Sequence, residues 1–156
     1  MPLARGAFPD FRMPDLAGAV HALSEAWQTG EALILIGHKS CKTTRQTLPY
    51  VDRIQQRRGP GSSVLAVLQD GADEARQAVL KLKLSLPIRL ESDPYPLAQA
   101  LQLTTVPTLY LIAKGGTIAR VSEAFSRADL EAFAERLGVA GPLFVPEDKA
   151  PAMKPG

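Results

Sequence analysis

The chain has 156 residues, 46% of them hydrophobic and 22% charged, and its 18 Lys and Arg against 16 Asp and Glu leave a formal net charge of +2. That length supports a single domain with a real core, and so near a balance argues against a nucleic-acid footprint or a polybasic membrane surface. No apolar run approaches a bilayer span, and the opening MPLARGAFPDF has no apolar leader core, so a cytoplasmic protein is the expectation.

In chain order, Met1–Ala7 reads as a loose arm. Phe8–Ala22 reads as a hairpin, with Asp15 and Gly18 as turn residues and Pro9 and Pro14 confining it to an edge or ribbon. Ala32–Ile36 is a continuous apolar run, the mark of a strand covered on both faces. Thr43–Gln56 places Leu48, Val51 and Ile54 at helical spacing, with Pro49 inside the pattern as a source of a kink. After the breaker RRGPGS come a second buried strand, Ser63–Leu68, a helix over Ala72–Leu84 and a short strand, Ile88–Leu90. Leu97–Leu101 is a short helix and Thr104–Thr108 a loop. Leu109–Ile112 and Thr117–Ser122, joined by the tight turn Lys114–Gly116, form an antiparallel pair. Ser126 caps a helix to Leu137 with Asp129 in the capping-box place, and Gly138 ends it. Residues 139–156 are proline-rich and polar and read as a disordered tail, which leaves 8–138 as the domain. The order of elements predicts an α/β fold with a mixed sheet and helices on both faces.

Cys41 is the only cysteine, so oxidation must stop at a sulfenic acid or reach another molecule. It lies between a strand and a helix, where unpaired amides and the helix dipole favour a thiolate, the reactive form. Lys39, Lys42 and Arg45 push the same way, and the Thr44 hydroxyl, in the first helical turn, is placed to donate to the sulfur. Against this stands the plain reading of a leftover thiol in a degenerate site. His38 is a candidate base, with a loop residue as the simpler reading, and Trp27 reads as core. The two histidines, His21 and His38, and one cysteine supply no zinc quartet, so no metal or cofactor is expected.

A cysteine at the end of the first central strand, in this order of elements, resembles the thioredoxin fold. That family's Cys-x-x-Cys is followed by a basic residue and, in redoxin-type reductases, by a proline five positions after the second cysteine. Cys41-Lys42-Thr43-Thr44-Arg45-Gln46-Thr47-Leu48-Pro49 aligns without a gap, with Thr44 where the second cysteine would stand. Thr105-Val106-Pro107-Thr108 resembles the family's cis-proline loop, and Pro9-Asp10-Phe11 with Pro14-Asp15-Leu16-x-Gly18 resembles the N-terminal hairpin of the redoxin branch that holds TlpA-like and ResA-like reductases and is related to the AhpC/TSA proteins. The departures are that Thr44 replaces the second thiol, Ser40 stands where a Trp precedes the first, and Leu35 stands where dithiol reductases carry a buried acid.

The resemblance implies a thioredoxin-like fold with an N-terminal β-hairpin. It implies a monothiol–disulfide oxidoreductase in which Cys41 attacks, Thr44, Lys42 and Arg45 support its thiolate, and Val106 and Pro107 hold a protein or glutathione partner as an added strand. A non-catalytic binding module using the same groove is the alternative. A one-cysteine peroxidase is a weaker one, because the Pro and Thr or Ser that such enzymes place seven and three residues before the thiol are Ile34 and His38 here.

Overall fold

The computed structural model describes residues Met1–Gly156. The first regular element is a hairpin of β1 (Arg12–Pro14) and β2 (Val20–Ala22), with Met13 opposite His21. Asp15 builds its turn by accepting the amides of Ala17 and Ala19, and Gly18 closes it at φ +94°. The ribbon stays apart from the main sheet, as its prolines dictate.

Then follow β3 (Ala32–Gly37), α1 (Lys42–Arg57), β4 (Ser63–Leu68), α2 (Ala72–Leu82), β5 (Ile88–Leu90), α3 (Pro96–Ala100), β6 (Thr108–Ile112), β7 (Ile118–Glu123), β8 (Phe125–Ser126), α4 (Arg127–Arg136) and β9 (Met153–Lys154). The main sheet has the order β5-β4-β3-β6-β7. β4 is parallel to β3 and β5 to β4, while β6 joins β3 antiparallel and β7 joins β6 antiparallel. This is the mixed α/β sheet the element order predicts.

β3 is its central strand, buried along its whole length. Its side chains alternate between two hydrophobic clusters, one on each face of the sheet. Leu33 and Leu35 join Leu48, Val51 and Ile54 of α1 and Leu130 and Phe133 of α4, whereas Ala32, Ile34 and Ile36 join Phe8, Trp27, Leu97 and Tyr110. With both faces covered, the strand reads as an unbroken apolar run. Truncating a fully buried leucine such as Leu35 to alanine would cost about 2–5 kcal/mol. Pro49 sits inside α1 without ending it. The β6–β7 turn has Gly115 and Gly116 at φ +94° and +108°, and a Cβ on Gly116 would lie 2.7 Å from Trp27 Nε1. Trp27 is therefore a core residue that seats this turn. At α4, Ser126 accepts the Asp129 amide as expected, but the Asp129 carboxylate bonds Ser122 and Arg120 instead of closing a capping box.

Both chain ends contact the domain. The Leu3 amide donates to Leu101 at 2.7 Å, the Tyr110 hydroxyl donates to the Leu3 carbonyl at 2.6 Å, and Ala7 bridges Thr117. Tyr110 is fully buried, so its hydroxyl requires an acceptor, and residues 1–7 supply one. Burial, with Glu123 adding to it, pushes the Tyr110 phenol up to about 12.

Residues 139–156, expected to be a tail, also make contacts with the domain. Leu143 and Phe144 are buried, with the Phe144 ring 4.5 Å from Tyr50 and 6.3 Å from Phe125. Arg53 grips the Asp148 carboxylate through two bonds of 2.9 and 3.2 Å and donates to the Leu143 carbonyl at 2.9 Å. β9 then pairs antiparallel with β8. Two apolar side chains in a polar segment make no periodic pattern, but an aromatic surface left open by Tyr50 and Phe125 is enough to anchor them.

Candidate functional site

β3 delivers the chain to a turn that is tied down on both sides. The Gln69 amide holds the Gly37 carbonyl at 2.8 Å, and the Lys39 amide donates to the Asp70 carboxylate at 2.8 Å. Lys39 Nζ reaches Glu74 and Gln77 on α2, each at 2.6 Å, while Arg45 Nη1 donates to the Lys39 carbonyl at 2.7 Å. The turn ends at Cys41, whose extended backbone (φ −80°, ψ 119°) makes it the N-cap of α1. A cap side chain accepts one of the free amides of the first turn; here the Thr44 N–H donates to Cys41 Sγ at 3.5 Å.

The other partner of the sulfur comes from far along the chain. The Cys41 thiol donates to the Val106 carbonyl at 3.5 Å, across 65 residues. The Val106–Pro107 peptide bond is cis. The loop carrying it is fixed by Ala124, whose amide donates to the Pro107 carbonyl at 2.7 Å, and by the Thr108 hydroxyl on the Thr105 carbonyl at 2.8 Å. Cys41 and Val106 are both half-buried, so the thiol is open to a partner on one side.

Four of the six residues singled out in the sequence therefore meet: Cys41, Thr44, Val106 and Pro107. Thr44 enters differently from the expectation. Its amide, not its hydroxyl, reaches the sulfur, and its Oγ1 is buried with no hydrogen-bond partner. It lies against β3 so closely that a Cβ on Gly37 would come within 2.8 Å of it. Lys42 points to solvent and makes no hydrogen bond or ion pair, and Arg45 is committed to the Lys39 carbonyl, so neither cation is brought to the thiol. The His38 ring pairs with the Ser40 hydroxyl at 2.8 Å and makes no bond to Cys41. A cleft of about 360 Å³ opens on the far side of the turn between Lys39, Arg45, Glu74 and Lys81. Cys41 is not part of its wall, and the Lys39–Glu74 ion pair already crosses it.

Two contributors were invisible in the sequence. Thr43, next to the cap, donates its hydroxyl to the Pro155 carbonyl. Gly156 lies on the Val106 loop, where a Cβ would come within 2.1 Å of Thr105 Oγ1 and 2.5 Å of the Val106 carbonyl oxygen. No motif marks either, because both contacts join residues far apart in the chain.

No protein-family model matches the sequence, and no curated protein matches it either. Solved structures do. A Chlorobium tepidum protein assigned as a thiol:disulfide interchange protein DsbE superposes with a TM-score of 0.75 at 23% identity, covering 86% of this chain and 95% of its own. The thioredoxin domain of a thiol-disulfide oxidoreductase from Bacteroides vulgatus gives 0.73 at 17% identity over 87% and 97%. A secreted Mycobacterium tuberculosis disulfide oxidoreductase homologous to Escherichia coli DsbE gives 0.68 at 17% identity over 81% and 96%. With this topology, these matches give the chain the thioredoxin-like fold.

Proposed function

We propose that this thioredoxin-fold protein exchanges disulfides through the single thiol of Cys41. The observation that carries the reading is the seat of the sulfur: N-cap of α1, bonded by the Thr44 amide, half-open, and beside the Val106–Pro107 loop. In the step, the Cys41 thiolate attacks one sulfur of a partner disulfide. A new bond to Cys41 forms, the partner's S–S bond breaks, and the departing sulfur leaves as a thiolate that takes up a proton. The Thr44 N–H is placed to carry part of the charge on the attacking sulfur.

With no second cysteine, the chain cannot expel its partner by itself. An external thiol such as glutathione must attack the mixed disulfide, regenerating Cys41 and forming a disulfide with the partner in its place. The reading therefore includes a reducing compartment, since the second half-reaction draws on free thiol. The loop at Val106 supports a polypeptide partner laid along it in extended form.

Incubation with glutathione disulfide, read by intact mass, tests this. The expected result is one glutathione per folded chain, removed by added reduced glutathione and absent in Cys41→Ser. A folded chain that takes up no glutathione and no peptide disulfide would sink the exchange reading. Partner binding that persists in Cys41→Ser would then leave the groove as a binding module.

A further inference from the structure

The C-terminal segment has two parts held very differently. Residues 143–148 are locked: Leu143 and Phe144 are buried and Asp148 is gripped by Arg53. Lys149 follows at φ +51°, turning the chain sharply. Beyond it, residues 150–156 run back toward the site, with a two-residue strand at Met153–Lys154. The Arg127 amide donates to the Ala152 carbonyl at 2.9 Å, Ser126 pairs with Met153 and Phe125 with Lys154, and the Pro155 carbonyl accepts from Thr43. Gly156 sits against the Val106 carbonyl, the same oxygen that receives the Cys41 thiol. Yet this strand is thinly held: none of residues 150–156 is buried, and Met153 is 75% exposed. A strand with few buried contacts opens at small free-energy cost.

We propose that residues 150–156 are a built-in occupant of the groove between the Val106–Pro107 loop and the first turn of α1, so that a polypeptide partner reaches Cys41 only by displacing them. The inference rests on the exchange reading above and adds what controls access to it. The locked base keeps the strand near its groove at an effective concentration of roughly millimolar, so weak contacts suffice to keep it seated. A small molecule needs only the sulfur, whereas an extended chain needs the backbone of the Val106 loop, against which Gly156 sits. The tip also fits only without a side chain, because backbone at Val106 fills the space a Cβ would take.

The test opens the groove in the full chain. With Arg127 and Ala152 bonded, the alternation of an antiparallel ladder makes Phe125 and Lys154 the next bonded pair. Lys154→Pro removes that amide, and Gly156→Leu collides with the Val106 carbonyl. In a Cys41→Ser background, fluorescein-labelled KAPAMKPG, the sequence of residues 149–156, is titrated onto chains with and without the two changes. At least tenfold tighter binding to the opened chain is expected; equal binding, or none to either, overturns the inference whatever Cys41 does. With Cys41 present, the opened chain should react at least tenfold faster with a peptide disulfide while its rate with iodoacetamide stays within twofold. Equal acceleration of both reagents, or of neither, overturns the gate. Absence of peptide exchange in every chain, with labelled-peptide binding as expected, sinks the exchange reading alone. Should the double variant misfold, Thr43→Val removes only the bond to Pro155, and about a threefold effect in the same direction is expected.

Discussion

Two buried polar side chains on α1, Thr44 and Asp52, are treated in opposite ways. Asp52 is 4% exposed and saturated: it accepts the amides of Ser85 and Leu86 at 2.9 and 2.7 Å, the Ser85 hydroxyl at 3.2 Å and the Gln56 amide group at 2.9 Å. Thr44, two turns earlier, is fully buried and its hydroxyl has no partner. Buried polar groups are nearly always bonded, and an exception calls for an explanation. Asp52 stitches α1 to the segment after α2, and its chemistry is wholly used up in the fold. The Thr44 side chain contributes neither a bond to the fold nor one to Cys41. One end of the helix is built for stability; the other leaves a buried hydroxyl unpaired in the turn that caps on the thiol.

The largest expected effect follows from the saturated end. Asp52→Ala strands two backbone amides and a hydroxyl, which costs about 3 kcal/mol. Denaturant unfolding should show this, with a fall in Tm of roughly 6–12 °C at about 2–4 °C per kcal/mol for a chain of this size. A loss below about 1 kcal/mol would erase the contrast with Thr44.

The opposite sign is expected at Thr44. Thr44→Val keeps the shape and removes the stranded hydroxyl, so the chain should gain about 1 kcal/mol. Because the amide, not the hydroxyl, reaches Cys41 Sγ, the rate of alkylation of Cys41 should stay within twofold of the parent. A marked slowing would restore the hydroxyl to the role the sequence assigned it.

The smallest effect sharpens the comparison one residue beyond Asp52. The hydrogen bond from Arg53, aided by the Val145 amide, holds the Asp148 carboxyl below the usual carboxylate range. A depressed folded value means that this contribution is fully present above the unfolded value of about 3.9 and is lost as the pH falls through the folded one. Asp148→Asn should cost about 1 kcal/mol or less near neutral pH. The difference from the parent should start to shrink as the pH falls below about 4 and vanish once the pH has passed the folded value, where both chains lack the charge. Hydrogen exchange across 143–148 measures it, and a difference that grows with acid would reverse the assignment.

Legibility tracked how local each cause was. The apolar run 32–36, the stripe of Leu48, Val51 and Ile54 and the breaker RRGPGS announce β3, α1 and the loop that ends α1, because covered strands and amphipathic helices carry their own periods. Cys41 at the start of α1 was readable for the same reason: a cap position is defined by its sequence neighbours. Where the Lys42 and Arg45 side chains go was not legible, because nearness in sequence does not set direction. At a helix start one side chain points to water, and the other had a free carbonyl within reach.

By itself, then, the sequence determined the α/β class, the central strand, the helix that starts at the thiol and the absence of a resolving cysteine. Only the tertiary structure decided what meets the sulfur. Val106 is 65 residues away, Pro155 binds Thr43 across 112, and Asp148 binds Arg53 across 95. Such contacts have no local period. They arise when packed elements leave an edge, an aromatic surface or an unbonded amide that a distant segment can satisfy, and the contacts of residues 143–156 are of that kind.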